Sequence, residues 1–294
     1  MRQPPAKNLN FPSLLEGLGR GQPVGWTSVG GGCIADSRVA TFADGSRVFV
    51  KRLEGSPGMF ECEATGLRAL AKAEALRVPE VLAVGSNALV LELIEAGRKK
   101  NGFFERFGRG FAKLHRHSGP CFGFEHDNFI GSTPQENTPL EQPGWAEFFL
   151  ERRLRFQVKL ACRRGFGSEL EDLLDRAERC ISTMLGASIE PPSLLHGDLW
   201  GGNYLVDECG EACLIDPAVY FGHREADLAM THLFGGFNYA FYEAYEDAWP
   251  LAPGHEDRLP VYQLYHMLNH LNLFGDAYYA QCRRILRRFA SDPA

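Results

Sequence analysis

The stretch LLHGDLWGGNYLVDECGEACLIDP, from Leu194 to Pro217, decides the fold. A short apolar run ends in His196-Gly197-Asp198, Asn203 comes in the next turn of chain, and a Gly-containing turn leads to a second apolar run that stops at Asp216. Taken singly, each polar residue has a bland account. Asp198 caps a turn, Asn203 takes a left-handed conformation beside Gly201 and Gly202, and Asp216 stops a strand before Pro217. A stable fold does not require all of them in this order, and the joint order is what points to chemistry.

Outward from this stretch the chain divides by pattern. From Val24 to Lys51 a Gly-rich loop, an apolar and polar alternation, a turn at Asp44-Gly45 and a second alternating run, SRVFVK, predict a β-hairpin. Phe60, Ala64, Leu67, Leu70 and Ala71 recur at helical spacing and predict a helix ending before Pro79. VPEVLAVG and ALVLELIEAG predict two further strands around a turn at Gly85-Ser86-Asn87. After Gly97, Phe103 to His117, Trp145 to Arg164 and Glu169 to Leu185 read as long amphipathic helices, and Asp227 to Ala248 and Val261 to Phe289 as largely helical. Ser118 to Gly144, rich in Gly, Pro, Asn and Thr, reads as a long irregular insertion. The expectation is an α+β chain of two touching lobes. Residues 1–94 form a small antiparallel sheet with one helix, residues 95–294 are mainly helical, and a hinge lies at Ile94 to Gly97.

Composition narrows the function. At 294 residues and 45% hydrophobic content the chain can bury a sizeable core, so disorder is not the default. A net charge of -6 and a pI near 5.9 argue against a nucleic-acid partner, whose binders are usually basic across the domain. There is no signal-like apolar run at the N-terminus and no segment near the roughly 18 to 20 apolar residues that cross a bilayer. A cytoplasmic protein without membrane contact is expected. Eight cysteines without a repeated spacing suit reduced thiols better than a disulfide scaffold. The basic run Arg152, Arg153, Arg155, Lys159, Arg163 and Arg164 reads as a solvated helix face, with steering of an acidic substrate as the alternative.

Asp198 to Asn203 is D-x-x-x-x-N, a spacing that kinase-type phosphoryl-transfer enzymes use. One carboxylate meets the substrate hydroxyl while an amide oxygen a turn away holds magnesium. Asp216 is then the charged metal ligand, and one Asp with one Asn is enough for a Mg²⁺ that keeps water and phosphate as its other ligands. The N-terminal half carries the remaining parts. Gly30, Gly31 and Gly32 in SVGGGC let backbone N–H groups approach the phosphates of ATP, although flexible turns use such glycines too. Lys51 in VFVK is placed on the α- and β-phosphates, and Glu63 on the following helix holds it by an ion pair. Glu61 competes for that role, but Glu63 shares the face of Phe60, Leu67 and Leu70. Glu92 and Ile94, beside the hinge, join the ATP-binding set.

The residues GGGCI, VFVK, MFECEATGLRAL, HGDLWGGN, IDPAVYFGHREADLAM and LFGGF, spread from about Val24 onward, resemble the fructosamine kinase family, relatives of aminoglycoside phosphotransferases with a two-lobed protein-kinase-like fold. Asp216-Pro217-Ala218 stands where protein kinases have Asp-Phe-Gly, and His196-Gly197-Asp198 where they have His-Arg-Asp. With that arginine missing, constitutive assembly is expected. The resemblance implies ATP-dependent phosphorylation of the 3-hydroxyl of a ketosamine, a ribulosamine or fructosamine on a small amine or a protein lysine, with Mg²⁺ as cofactor. The product is unstable and frees the amine, which would amount to protein deglycation. A kinase for an aminoglycoside, choline or similar alcohol is the alternative.

Trp200, next to Asp198, offers a sugar skeleton an apolar face or else anchors the loop under the C-terminal helices. His270 in MLNHLN resembles a position near the sugar pocket of the family. His196 is expected to fix the loop rather than shuttle protons, and His223, Arg224, Glu225 and Asp227 to pair with one another and pin the catalytic loop. Cys33, directly after the glycines, is a redox candidate: near backbone N–H groups and Lys51 its thiolate is favoured, and a disulfide between two chains would join a monomer into a homodimer. The alternative is a small apolar residue packed under the loop.

Overall fold

Alternation in one strand organises the N-terminal part of the computed structural model, which describes residues 11–30, 35–55, 58–140, 144–166 and 169–290. The elements here are α1 (Phe11–Glu16), β1 (Gly25–Ser28), β2 (Asp36–Thr41), β3 (Arg47–Arg52), α2 (Met59–Lys72), β4 (Val81–Gly85) and β5 (Ala88–Glu92). The five strands form one antiparallel sheet in the order β1-β2-β3-β5-β4. Val48 and Val50 of β3 bury on one face with Ala40, Phe42, Val90 and Leu15 of α1. Phe49 points to the other face, where Phe60, Ala64 and Leu67 of α2 pack with Leu89 and Leu91. A period of two puts Lys51 on the same face as Phe49, toward α2. Helix α1, on the reverse face, has no counterpart in the sequence reading.

Beyond Glu92 the chain runs without regular structure to α3 (Phe103–His115) and is tied down where Gly97 N–H donates to Val206 O at 2.9 Å. A Cβ at Gly97 would lie 1.8 Å from the Asp207 carbonyl oxygen, so this crossing admits only glycine. The larger part continues with β6 (Asn128–Ile130), β7 (Thr133–Gln135), α4 (Trp145–Phe149), a π turn (Leu150–Arg155), α5 (Phe156–Arg163), α6 (Glu169–Gly186), β8 (Ser193–Leu195), β9 (Tyr204–Val206), β10 (Ala212–Leu214) and β11 (Tyr220–Gly222). It closes with α7 (Arg224–Thr231), α8 (Tyr239–Ala248), α9 (His255–Phe274), a 3-10 turn (Asp276–Tyr278) and α10 (Tyr279–Ala290). The opening stretch of sequence thus supplies the ribbon of β9 with β10 and most of β8, which pairs with β11 just beyond the stretch. This is the two-lobed α+β, protein-kinase-like architecture. No helix among the described residues is long and apolar enough to cross a membrane.

Three expectations are corrected. Residues 118–144 are not wholly irregular, because β6 and β7 form a short hairpin there. The helical reading of Asp227 to Ala248 breaks between Thr231 and Tyr239, where Gly235 and Gly236 both take positive φ. The basic run is a solvated face only in part: Lys159, Arg163 and Arg164 are exposed, but the basic residues before them are not. Arg152 pairs with Glu136 and Arg155 with Asp175, while the π turn carries Arg153 into the core. There its guanidinium lies 4.0 Å from the Tyr220 ring and donates to Asn137 Oδ1 at 2.7 Å. A buried guanidinium of this kind persists because a ring face and a hydrogen-bond acceptor replace its water.

Candidate functional site

Lys51 is one of the points at which the two lobes meet. Its Nζ donates to Glu63 Oε1 at 2.7 Å and to Asp216 Oδ1, which joins β3, α2 and the end of the β9–β10 ribbon. Helix α2 approaches that closely because residue 66 is glycine. A Cβ there would already sit 3.2 Å from Val219 and 3.4 Å from Pro217. Burial works against the charge on Lys51, yet Glu63 and Asp216 outweigh it and raise its pKa, so it stays protonated. Burial pushes Glu63 upward, opposed by Lys51. Asp216 takes φ of +54°, a left-handed conformation that costs a non-glycine residue about 1–3 kcal/mol and recurs at functional sites.

The loop from His196 to Asn203 is held from beneath. Gly197 has φ of +83°, and a Cβ on it would lie 2.0 Å from the Ala218 carbonyl oxygen, so no arginine fits between His196 and Asp198. His196 donates through Nε2 to Ile215 O at 3.0 Å and accepts at Nδ1 from Asp198 N–H at 3.3 Å. With both ring nitrogens engaged and burial holding its pKa down, it is a neutral fixing group. Asp227 of α7 accepts from His196 N–H at 2.6 Å, from Gly197 N–H at 2.8 Å and from His115 Nε2 at 3.2 Å. Tyr245 in turn donates to His115 Nδ1 at 2.7 Å. Asp227 therefore pins the loop, but its neighbours pair elsewhere. Arg224 binds Glu190, Glu225 binds Arg258, and His223 meets Ser188 and caps α7, which corrects the expectation that they pair with one another.

Asp198 accepts from Asn203 Nδ2 at 3.1 Å, and the same nitrogen reaches Asp198 O at 2.8 Å. Burial and then the charge of Asp216 push the Asp198 carboxyl well above the usual carboxylate range, with Asn203 pulling the other way. Because the Asn203 nitrogen is spent on Asp198, its amide oxygen is left for an outside donor or cation. Together with the half-exposed Asp216 carboxylate it makes a pair of hard oxygen donors, which fits a small divalent ion that keeps most of its ligands from water and phosphate.

The other expected site residues are spread along this cleft. Gly30 is exposed with open space about its Cα, whereas Gly31, Gly32 and Cys33 lie outside the described residues. Ile94 is buried. The Glu92 carboxylate accepts from Arg77 at 2.7 Å and from Glu80 N–H at 3.1 Å, and its own N–H donates to Glu80 O at 2.9 Å, so this acid is engaged within the N-terminal part. Arg77 also donates to Asp207 and Glu208 at 2.8 and 2.9 Å, tying the end of β5 to the β9–β10 turn. Trp200 is not buried under the C-terminal helices. It is 37% exposed, its ring covers the place a Gly202 side chain would take, and its edge meets Phe234. His270 lies half-buried beside Phe234. Sequence reasoning missed His115, Tyr245, Arg77 and Gly66. A signal existed for His115 alone, a polar ring on the otherwise apolar face of Phe107, Phe111 and Ala112.

Comparison with known proteins agrees with this geometry. The sequence profile described as fructosamine kinase matches residues 14–292. A probable ketoamine kinase of Synechocystis is 41% identical, over 89% of this chain and 88% of that one. A chloroplastic protein-ribulosamine 3-kinase of Oryza sativa is 40% identical, over 89% and 78% of the two chains. The crystal structure of a putative fructosamine-3-kinase from Thermobifida fusca superposes with a TM-score of 0.82 at 34% identity, covering 95% of this chain and 97% of the other.

Proposed function

The chain belongs to the fructosamine kinase family, and from that premise we propose that it transfers the γ-phosphoryl group of ATP to O3 of a ketosamine, a ribulosamine or fructosamine carried on an amine or a protein lysine. The observation that carries the reading is the convergence of Lys51, Glu63 and Asp216 opposite Asp198 and Asn203. Lys51 exchanges its contact with Asp216 for the α- and β-phosphates while Glu63 keeps it in place. The Gly30 end of its loop lies over the phosphates, and the chain at Glu92 and Ile94 borders the adenine. Asp198 orients the O3 hydroxyl and takes its proton as the bond from O3 to phosphorus forms and the bond from phosphorus to the β,γ-bridging oxygen breaks. Its raised proton affinity suits that role. Asp216 and the amide oxygen of Asn203 would hold Mg²⁺, which when bound would offset the charge of the phosphates. Trp200 lies against the sugar skeleton.

The 3-phosphate so formed leaves by elimination, and loss of the sugar remnant frees the amine, which makes the activity one of protein repair in a reducing, cytoplasmic setting. The lobe boundary near residue 94 is the hinge about which ATP is enclosed. ATP consumption measured side by side with a ribulosamine, a fructosamine, an aminoglycoside and choline tests the reading. Turnover of a ketosamine at least about tenfold above the other alcohols in kcat/KM is expected. Faster turnover of the aminoglycoside or choline refutes it.

A further inference from the structure

Three large apolar side chains that the fold leaves in water stand together. Trp200, Phe234 and Phe274 are 37%, 37% and 57% exposed, and they come from the catalytic loop, the 232–238 turn and the end of α9. Ring contacts join them into one run. Trp200 meets Phe234 edge-on at 6.1 Å, Phe234 lies 4.6 Å from His270, and His270 lies 5.5 Å from Phe274 and 5.1 Å from Tyr278. Single exposed apolar residues are ordinary, but a contiguous aromatic patch that begins two residues from Asp198 is the kind of surface that binds something.

The run is also built rather than incidental. A Cβ on Gly236 would lie 2.4 Å from Gly201 Cα, so the turn carrying Phe234 packs main chain to main chain against the catalytic loop. The missing side chain at Gly202 is what lets the Trp200 ring lie down, since a Cβ there would be 2.4 Å from it. His270 donates through Nδ1 to His266 O at 2.8 Å, and burial keeps its pKa below the ordinary value, so the middle of the run carries no positive charge at neutral pH.

In a ketosamine the nitrogen is bonded to C1, one carbonyl carbon away from C3, and as a secondary amine it is protonated at neutral pH. We propose that the aromatic run from Trp200 through Phe234 to Phe274 and Tyr278 is the subsite for the amine side of the substrate. It takes the secondary ammonium on its ring faces near Trp200 and the methylene arm of a glycated lysine along Phe274 and Tyr278. This rests on the ketosamine reading above. Two observations select that occupant: the run is continuous with the residue placed on O3, and rings without a like charge among them suit a cation on an apolar stem. The substrate is therefore recognised from both ends, sugar at Asp198 and arm on the shelf, and the enzyme prefers lysine-linked adducts to those of short amines.

The test is steady-state kinetics with a ribulosamine of N-acetyl-lysine amide and one of methylamine, on wild type and on Phe274→Ser, whose exposed side chain can be removed without opening the core. Wild type is expected to favour the lysine adduct by about tenfold in kcat/KM, and Phe274→Ser to reduce that ratio about three- to fivefold through KM, with kcat held. Replacing the amine nitrogen of the lysine adduct by an ether oxygen should raise KM in wild type. Equal kcat/KM for the two adducts in wild type, or an unchanged ratio in Phe274→Ser, overturns the subsite while leaving the kinase reading intact. Failure of wild type to turn over either adduct overturns the kinase reading itself, and the subsite with it.

Discussion

Replacing Asp227 with Asn separates the scaffold of the catalytic loop from its chemistry. One carboxylate oxygen of Asp227 accepts from His196 N–H at 2.6 Å and from His115 Nε2 at 3.2 Å, and the other from Gly197 N–H at 2.8 Å. Burial opposes the charge, but the hydrogen bonds from His115 and from the Gly197 N–H hold the pKa of Asp227 below its ordinary value. An asparagine of the same shape can keep its oxygen on only one side. In the better orientation it serves His196 and His115 and turns its NH₂ toward the Gly197 N–H, donor against donor. The loss is one hydrogen bond to a charged acceptor, about 1.5–3 kcal/mol, and the desolvation left on a buried N–H, about 1–3 kcal/mol. Together they amount to about 2.5–6 kcal/mol, a large part of the roughly 5–15 kcal/mol by which domains are stable.

The same repulsion pushes Gly197 away and moves Asp198 with it. A displacement near 1 Å lowers turnover about 100-fold. Lys51, Glu63 and Asp216 are untouched, so nucleotide affinity stays within about threefold. Urea unfolding, ATP titration by calorimetry and kcat on Asp227→Asn measure the three quantities. A stability change of less than about 0.5 kcal/mol, the range of an ordinary surface substitution, refutes this role for Asp227. So does a kcat that is retained while stability falls.

Asp198→Asn should lower kcat by about two to four orders of magnitude with ATP still bound, and near wild-type turnover would remove Asp198 from proton transfer. Asp216→Ala should abolish the magnesium dependence of nucleotide binding, and calorimetry showing unaltered affinity for ATP with Mg²⁺ would exclude it as a metal ligand. His266 bears on acid stability: burial takes its pKa down to about 3, below the roughly 6.5 of an unfolded histidine. The unfolded chain then binds the proton more tightly, so this stability is complete above pH 6.5 and is lost as pH falls below it. Between pH 7.5 and 5.5 the loss is about 1.4 kcal/mol from this residue. His266→Leu should flatten the pH dependence of urea unfolding by that amount, and an unchanged slope would be the failing result.

What was legible in the sequence is what local periodicity can carry. The alternation of VFVK places Lys51 on the α2 side of the sheet, and helical spacing places Glu63 rather than Glu61 on the inward face. The two periods together predict a contact that is found at 2.7 Å. Periodicity is silent where a helix changes pitch. The six-residue π turn Leu150–Arg155 shifts the helical phase away from that of a regular helix, and so Arg153, read as part of a solvated face, is buried. It is silent again where a polar residue is satisfied from far along the chain, as with His115 and Asp227, whose meeting has no local signature.

Glycines occupy a middle ground. Gly197, Gly201, Gly202 and Gly236 were visible as motif letters, and turn propensity alone accounts for any of them. Their spatial reason is a different one, since a Cβ at these positions would meet Ala218 at 2.0 Å, Gly235 at 3.0 Å, Trp200 at 2.4 Å and Gly201 at 2.4 Å respectively. At 2.0 to 2.4 Å no side chain is admitted. Flexibility is therefore not what these residues supply: a loop packed main chain against main chain has few ways to move. Asp198 and Trp200 are held in register by the same contacts, so the base and the first ring of the shelf keep their relation whether or not a substrate lies between them. A kinase whose His-Gly-Asp turn is locked by packing in this way needs no arginine and no phosphorylated loop to assemble it, in keeping with the Lys51 to Glu63 pair already formed.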